Sequence, residues 1–362
     1  MKVAILRRTY ITELDGVNNF ILTLADGLNS LGHSAEVVTW GFYGVSRPEN
    51  LSKWAQKQYN VDARIFSLRD APCRLDPPPW LRIGWDWLKK GSKFVREFGY
   101  DAIIVNGVIP IRFNGKRIAV NHGITTSEDK VDFVKRFVTR NLYRNFIRVC
   151  VSQKLAEEYK RFFHLSCHMI PLPLKISSFN SPKYEERNES ILHVGTRPVK
   201  NLEISIETCK EMTKRKIPVK LIVVGGKNEY VERLTKNARS SGIDIETKYG
   251  ISAREIKDLY ASVKALILPS DYEAFSYSIL ESMASGTPVV VSEAVPPELV
   301  INNYNGFRVK TYNPADYAEL LALLLKDPLV WTRLSENASK FVAHFDHISI
   351  ARKYSELLES MC

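Results

Sequence analysis

The chain has 362 residues, 45% hydrophobic and 25% charged, with a formal net charge of +11. That length exceeds the usual single core and predicts two domains, while the lack of any run of ~18 apolar residues excludes a helical membrane span. The charge is uneven: residues 1–180 carry 27 Lys+Arg against 16 Asp+Glu, and residues 181–362 carry 24 against 24, so the whole basic excess lies in the first half, a field suited to phosphate, nucleic acid or an anionic membrane.

The start, Met1 to Arg8, is too short and too soon charged for a secretory leader and reads as a strand, so a cytoplasmic location is expected. Val3–Leu6, a helix over Val17–Leu31 stopped by Gly32, and the strand Ala35–Thr39 form one βαβ unit. Residues 41–90 are less regular, with Asp76-Pro77-Pro78-Pro79-Trp80 breaking any element across them. Ala102–Val105, Arg117–Val120, Val149–Val151 and His168–Ile170 read as further strands. Residues 130–148 interleave Lys130, Lys135, Arg136, Arg140, Arg144 and Arg148 with apolar positions and read as a basic amphipathic helix, facing either the core or anionic lipid.

A proline-punctuated polar stretch near 171–190 marks a boundary, after which the alternation restarts. Ile191–Val194, Lys220–Val224, Ile243–Glu246, Ala265–Leu268 and Val289–Val291 are the strands of a second parallel sheet, and three helices close the chain at about 314–325, 328–343 and 347–360. Five scattered cysteines without a Cys-x-x-Cys pair predict neither a disulfide framework nor a zinc site.

The run from Glu273 through Val291 carries the most chemistry. A carboxylate in the turn after a buried strand, a following helix with a second carboxylate, Glu281, about two turns in, and a stop at Gly286 together suit a phosphate flanked by sugar hydroxyls. Gly195-Thr196-Arg197-Pro198-Val199-Lys200 follows the first strand of the second half; its glycine permits close approach and its two cations suit a diphosphate leaving group.

Two acids with seven residues between them, followed by Gly286-Thr287-Pro288 and a valine-rich strand, resemble glycosyltransferase family 4, the group 1 retaining nucleotide-sugar transferases. The resemblance implies an α/β chain of GT-B fold, two Rossmann-like domains facing each other across a cleft: residues 1–172 for the acceptor, 173–346 for the donor, and a last helix from about 347 to 362 crossing back to the first domain. It also implies retention of anomeric configuration by front-face attack.

Carried over, Glu273 contacts the transferred sugar and Glu281 the ribose. Arg197 and Lys200 neutralise the diphosphate, and His122, at the end of a strand, lies near the reacting sugar. Gly16, Gly195, Gly225, Tyr249, Phe275, Ser276 and Tyr277 line the donor. The chain departs from the pattern in having one glycine, Gly16, where two are usual, Asn201 where many members have glycine, and Pro171-Leu172-Pro173-Leu174-Lys175 at the domain junction.

No Asp-x-Asp sequence occurs, so no metal or other cofactor is expected, and the cations with helix-end amides take over that work. The expected partners are a nucleoside diphosphate sugar, a glycan or lipid-linked acceptor, and an anionic membrane surface met by the basic half as a peripheral protein. Nucleic acid is not expected, although a basic nucleic-acid-associated protein and a catalytically silent transferase-like protein are the alternatives. Non-hydrolysing sugar epimerases share two such halves but not this linear motif set.

Overall fold

The computed structural model describes residues 1–11, 16–42, 51–69, 80–123 and 139–361. They divide into two compact units, Met1–Lys175 with Phe345–Cys362, and Ile176–His344. Each is built on a parallel sheet.

In the first unit the strands are β1 (Lys2–Ile11), β2 (Ser34–Phe42), β3 (Arg64–Ser67), β4 (Ala102–Asn106), β5 (Lys116–Asn121), β6 (Ile147–Cys150) and β7 (His168–Met169). They lie in the order β3-β2-β1-β4-β5-β6-β7. The second sheet has β8 (Asn188–Val194), β9 (Lys220–Gly225), β10 (Ile245–Tyr249), β11 (Val263–Leu268), β12 (Val289–Ser292) and β13 (Phe307–Val309) in the order β10-β9-β8-β11-β12-β13. All residues of β4, β11 and β12 are buried, the consequence of helices covering both faces of a parallel sheet. In each sheet the order reverses beside the first strand, between β1 and β4 and between β8 and β11. Crevices at the carboxyl ends of such strand pairs are where open α/β sheets hold ligands.

The irregular reading of residues 41–90 needs correction. Helix Leu51–Tyr59 and strand β3 lie there, and a helical run from Trp80 to Glu97 follows, made of Trp80–Asp86, a π turn Trp87–Gly91 and Ser92–Glu97. The proline triplet itself lies outside the described residues. β3 is only four residues long, with an exposed Arg64, so period-two alternation could not flag it. The basic helix expected over 130–148 is corrected from Tyr143 onward. Residues 124–138 lie outside the described ones, helix occupies 139–142, and β6 begins at Ile147, paired with Ile118. Tyr143 and Phe146 are buried in the core, and the Arg148 guanidinium donates to the carbonyls of Tyr143, Phe146 and Ser166. That cation is spent on closing the turn.

The polar stretch before β8, read as linker, holds a structural keystone. Arg187 is 5% exposed and donates to the carbonyls of Pro182, Tyr260, Val263 and Ser285 and to Thr287 Oγ1, with Trp331 stacked 4.7 Å away. Burial pulls its pKa down to about 10, yet carbonyls at two helix C-termini supply the negative ends that keep it charged.

In the first unit the last helix, His347–Glu359, packs on the helix Gly16–Ser30 that follows β1. Gly27 makes this possible, because a Cβ there would fall 2.6 Å from the His347 carbonyl oxygen and 2.8 Å from Ala351 Cβ. The ~1 kcal/mol that mid-helix glycine costs is returned as close helix contact. Gly32, at φ +85°, ends the first helix, with His33 N–H donating to Leu28 O. The helix stop expected there is borne out, and the His33 ring reaches Ser355 of the last helix at 2.8 Å.

An ion cluster locks the same contact. Asp26 Oδ2 receives His347 Nε2 at 3.1 Å and Lys175 Nζ at 3.0 Å, while Oδ1 accepts from the Asp62 amide at 2.8 Å. Burial opposes charge on both partners, but for Asp26 the bonds from His347, Asp62 and Lys175 outweigh it and lower its pKa. For His347, Asp26 and Asp346 outweigh burial and raise it. A raised histidine contributes stability that is complete below the ordinary histidine range and lost as pH rises through the folded value; the lowered Asp26 loses its share only as pH falls below the ordinary carboxylate range. Denaturant melts from about pH 6 to pH 9 are therefore expected to show wild-type stability falling with pH and His347→Gln less stable at the acid end with a flatter profile. Parallel profiles would contradict the pairing.

Candidate functional site

Two turns at the carboxyl end of the second sheet are fastened to each other. The first leaves β8 as Gly195-Thr196-Arg197, makes a short 3-10 turn over Pro198–Lys200, and enters helix Leu202–Lys214 through Asn201. The second leaves β11 as Pro269 to Ser276 and enters helix Tyr277–Ala284. Because β8 and β11 are neighbours in register, Ile191 beside Ala265, both turns emerge at the same edge. The Asp271 amide donates to Val199 O at 2.9 Å, and Asn201 Nδ2 donates to Pro269 O at 3.0 Å and to Asp271 Oδ1 at 2.6 Å.

Asn201 explains its own departure from glycine. It sits at φ 52°, ψ 55°, the left-handed region that asparagine tolerates best after glycine, and its side chain adds the bonds glycine could not. Gly195 is at φ +111°, and a Cβ there would lie 2.9 Å from Lys200 Cγ. The lysine stem thus crosses directly over the glycine.

That crossing aims Lys200 at Glu273. Lys200 Nζ lies 2.5 Å from Glu273 Oε1, and Ser270 Oγ donates to the same oxygen at 2.8 Å. The two charged side chains are 12% and 7% exposed, so the pair is little screened by water. Ser270 is itself placed, its carbonyl accepting from Ser292 Oγ at 2.5 Å and from Tyr312 Oη at 3.3 Å. Arg197, by contrast, is exposed at the head of the 3-10 turn.

Ser276 is the N-cap residue of the second helix, but its hydroxyl meets Ser278 Oγ at 2.9 Å instead of making a side-chain cap. Ala274, Phe275 and Ser276 are buried and Tyr277 is half-buried. Glu281 is the fifth residue of the helix, a little over one turn in and not the two expected, because the helix starts only at Tyr277. It is half-buried, beside Tyr260, whose phenol burial and the Glu281 charge push well above its ordinary pKa. Gly286, φ +65°, closes the helix with Thr287 N–H on Ser282 O at 2.8 Å and its own N–H on Met283 O at 3.0 Å, a Schellman end.

Gly225 ends β9 next to β8, and its small size serves Thr196: a Cβ there would lie 2.5 Å from Thr196 Cγ2. Tyr249 ends β10, one strand further out, and packs on the core of this unit. In the first unit, Gly16 is the first residue of its helix, the preceding residues 12–15 lying outside the described ones. His122 follows β5; its Nε2 meets Asn106 Oδ1 at 2.9 Å and its ring stands edge-on to Phe20 at 4.6 Å. Asn106 Nδ2 donates to Leu6 O at 3.3 Å, so Oδ1 faces the histidine and Nε2 carries the proton. His122 is thereby anchored beside the β1–β4 reversal.

One residue that sequence reasoning missed is His193. Wholly buried, it contacts Ser205 Oγ at 2.8 Å through Nδ1 and Gly195 O at 2.9 Å through Nε2. Burial lowers its pKa to about 4, so the neutral ring donates to Gly195 and accepts from Ser205, fixing the peptide that the glycine needs turned. A histidine within an apolar strand gave no sign of this. Among the described residues no group of three or more His, Cys, Asp or Glu could hold a metal ion, and no helix is long and apolar enough to cross a membrane.

Comparison with known proteins decides the family. The model for Glycosyltransferase Family 4 matches residues 14–176, and that for Glycosyl transferases group 1 matches residues 175–341. The chain belongs to the group 1 glycosyltransferases. It is 26% identical over 283 residues to the N,N'-diacetylbacillosaminyl-diphospho-undecaprenol alpha-1,3-N-acetylgalactosaminyltransferase of Campylobacter jejuni, an alignment covering 77% of this chain and 72% of that one. Alignments with further curated relatives, a mannosyltransferase and several D-inositol 3-phosphate glycosyltransferases, cover only 26% to 43% of those proteins.

Among solved structures, a sucrose-phosphate synthase from Thermosynechococcus elongatus superposes with a TM-score of 0.80 at 18% identity, covering 99% of this chain and 98% of that one. HepE from Anabaena, solved with UDP and glucose, does so at 0.76 and 19%, covering all of both chains. The expected GT-B fold, two Rossmann-like domains, is borne out, and the protein is an enzyme of glycosyl transfer.

In this glycosyltransferase Gly195→Ala is expected to lower glycosyl transfer roughly 10- to 100-fold, since the added methyl group both strains φ and pushes Lys200 off Glu273. Steady-state assays alongside circular dichroism check this; unchanged turnover would mean the Lys200 path is not needed.

Proposed function

We propose that the protein moves a sugar from a nucleoside diphosphate sugar to an acceptor, with retention of the anomeric configuration and without a divalent metal. The observation that carries this reading is the fastening of the β8 and β11 turns, which sets Lys200 and the start of helix Tyr277–Ala284 beside a buried carboxylate, with Arg197 exposed on the same β8 turn. A lysine ammonium has three donors; one goes to Glu273, and the others are assigned to diphosphate oxygens. Arg197, being exposed, is assigned to the same oxygens as a planar two-pronged donor. Together with the helix N-terminus these groups stabilise the charge that builds on the leaving group as the glycosidic bond breaks.

Among the described residues both hydrogen bonds to Glu273 fall on Oε1, and Oε2 is assigned to a hydroxyl of the transferred sugar. Glu281 is assigned to the ribose, with Tyr260 packed beside it. Gly195, Gly225, Phe275, Ser276, Tyr277 and Tyr249 are assigned to lining the donor. Gly16 and His122 stand at the carboxyl edge of the first sheet, and His122, its Nε2 held by Asn106 Oδ1, is assigned to the neighbourhood of the transferred sugar. Attack and departure on the same face of the sugar need no covalent nucleophile from the chain.

Acceptor and donor classes rest on the relatives. The Campylobacter enzyme is named for a diphospho-undecaprenol-linked acceptor and HepE was crystallised with UDP, which supports a lipid-linked or glycan acceptor and a uridine nucleotide as the first donor to test.

Thermal unfolding with uridine, guanosine and adenosine diphosphates and their sugars tests the reading. One nucleotide at 100 times its dissociation constant is expected to stabilise the protein by about 2.7 kcal/mol, and Lys200→Met to remove most of that shift. No shift with any of them would refute the donor assignment. With the donor in hand, turnover is expected to survive excess chelator; activity lost to the chelator and restored by magnesium would overturn metal independence.

A further inference from the structure

The basic excess of the first half has a different focus from the segment that composition suggests. The helical run Trp80–Glu97 holds five basic residues, Arg82, Lys89, Lys90, Lys93 and Arg96, against two acids, Asp86 and Glu97. One face of it is core: Ile83, Trp87, Gly91 and Val95 are buried, with Trp87 Nε1 bonded to Arg8 O at 2.8 Å. A Cβ on Gly91 would strike the Trp87 ring at 2.5 Å, so glycine is required for that face to close.

The opposite face is wet and apolar at once. Leu81 is 93% exposed and Trp85 57% exposed, and Lys89 and Lys93 continue the same four-residue spacing, both exposed. In an ordinary α-helix a four-residue spacing drifts around the axis by about 40° per step. The π turn Trp87–Gly91, with its wider winding, takes up that drift, so Leu81, Trp85, Lys89 and Lys93 remain on one side.

Lys89 Nζ lies 4.3 Å from the Trp85 ring centre. The acids offset only part of this charge: Asp86, buried and engaged by Trp40 Nε1 at 2.8 Å and by Arg69 at 3.4 Å, also meets Lys90 at 3.9 Å, and Glu97 pairs with Lys93 at 3.6 Å, so the run keeps a net charge of +3.

We propose that this face, Leu81 and Trp85 fringed by Arg82, Lys89, Lys90, Lys93 and Arg96, is where the protein lies on an anionic lipid bilayer. An exposed leucine gains by entering the acyl boundary, a tryptophan settles at headgroup depth, and lysines and arginines meet lipid phosphates. A neutral protein partner would use the apolar pair but give no reason for a fringe of one sign. The proposal goes beyond the donor reading and stands whether or not the acceptor is lipid-linked, because its test reads binding and not turnover.

The test is co-sedimentation of the full chain with vesicles of phosphatidylcholine alone or mixed with phosphatidylglycerol, at low and high salt. Wild type is expected to pellet only with the anionic vesicles and to be released by salt. The pair Lys89→Glu and Lys93→Glu is expected to weaken partitioning more than ~30-fold, each lysine near such a surface being worth about fivefold. Leu81→Ser with Trp85→Ser is expected to weaken it about tenfold while leaving nucleotide-induced thermal shifts unchanged.

Brominated lipid is expected to quench wild-type tryptophan fluorescence, and Trp85→Phe to lose that quenching. Wild type remaining in the supernatant at low salt, or variants pelleting like wild type, would overturn the proposal. So would a concentration-dependent dimer, seen by sedimentation velocity, that the Leu81/Trp85 variant loses, since a second copy would then cover the face.

Discussion

The proposed donor site depends on one constraint: the turns after β8 and β11 have to be held as a single piece. Neither turn is a site alone. The β8 turn brings two cations and a glycine, the β11 turn a carboxylate and a helix start, and parallel pairing of the two strands puts their ends a strand spacing apart. The Asp271 amide on Val199 O and the Asn201 side chain on the second turn then remove the remaining slack. Lys200 and Glu273 are the charged expression of that fastening. A buried pair of this kind pays desolvation on both partners and is weak evidence for net stability; what it provides is a fixed direction for each charge.

Around this piece, small residues act by what they admit. Gly195 admits the Lys200 stem, Gly225 admits Thr196, and Gly27 admits the last helix of the chain against the first. Only Gly195 of the three also needs a positive φ. His193 and Arg187 act in the opposite way, filling buried space with donors that hold carbonyls in place, one beneath the β8 turn and one at the far end of the same strand. Each is satisfied without a carboxylate, so neither brings a charge partner that would compete with the acids of the site.

Much of this could be read from the letters. The run Glu273 to Val291 carries a strand end, two acids, a helix and a Gly286 stop, and each of those features has a local cause that sequence patterning detects. Lys200 and Arg197 were legible through the glycine before them. What escaped has physical reasons. β3 and β13 are four and three residues long, too short for periodicity. His193 and Arg187 look like a polar interruption of a strand and a linker charge until the partners, distant in sequence, are known. The basic stretch at 130–148 misled because Tyr143 and Phe146 belong to the core and Arg148 to the turn before β6, whereas the exposed apolar face sits at Leu81 and Trp85, in a region whose prolines argue for no structure at all. A one-turn error placed Glu281 too deep, since the boundary set by Ser276 depends on backbone geometry that composition does not encode.

The central claim is that Lys200 and Glu273 act on the donor as one unit. A double-mutant cycle with Lys200→Met and Glu273→Gln, read by calorimetric titration of the nucleoside diphosphate that stabilises the protein, tests it most directly. The account predicts a coupling of at least about 1 kcal/mol between the two substitutions. Effects that add to within about 0.5 kcal/mol would contradict it.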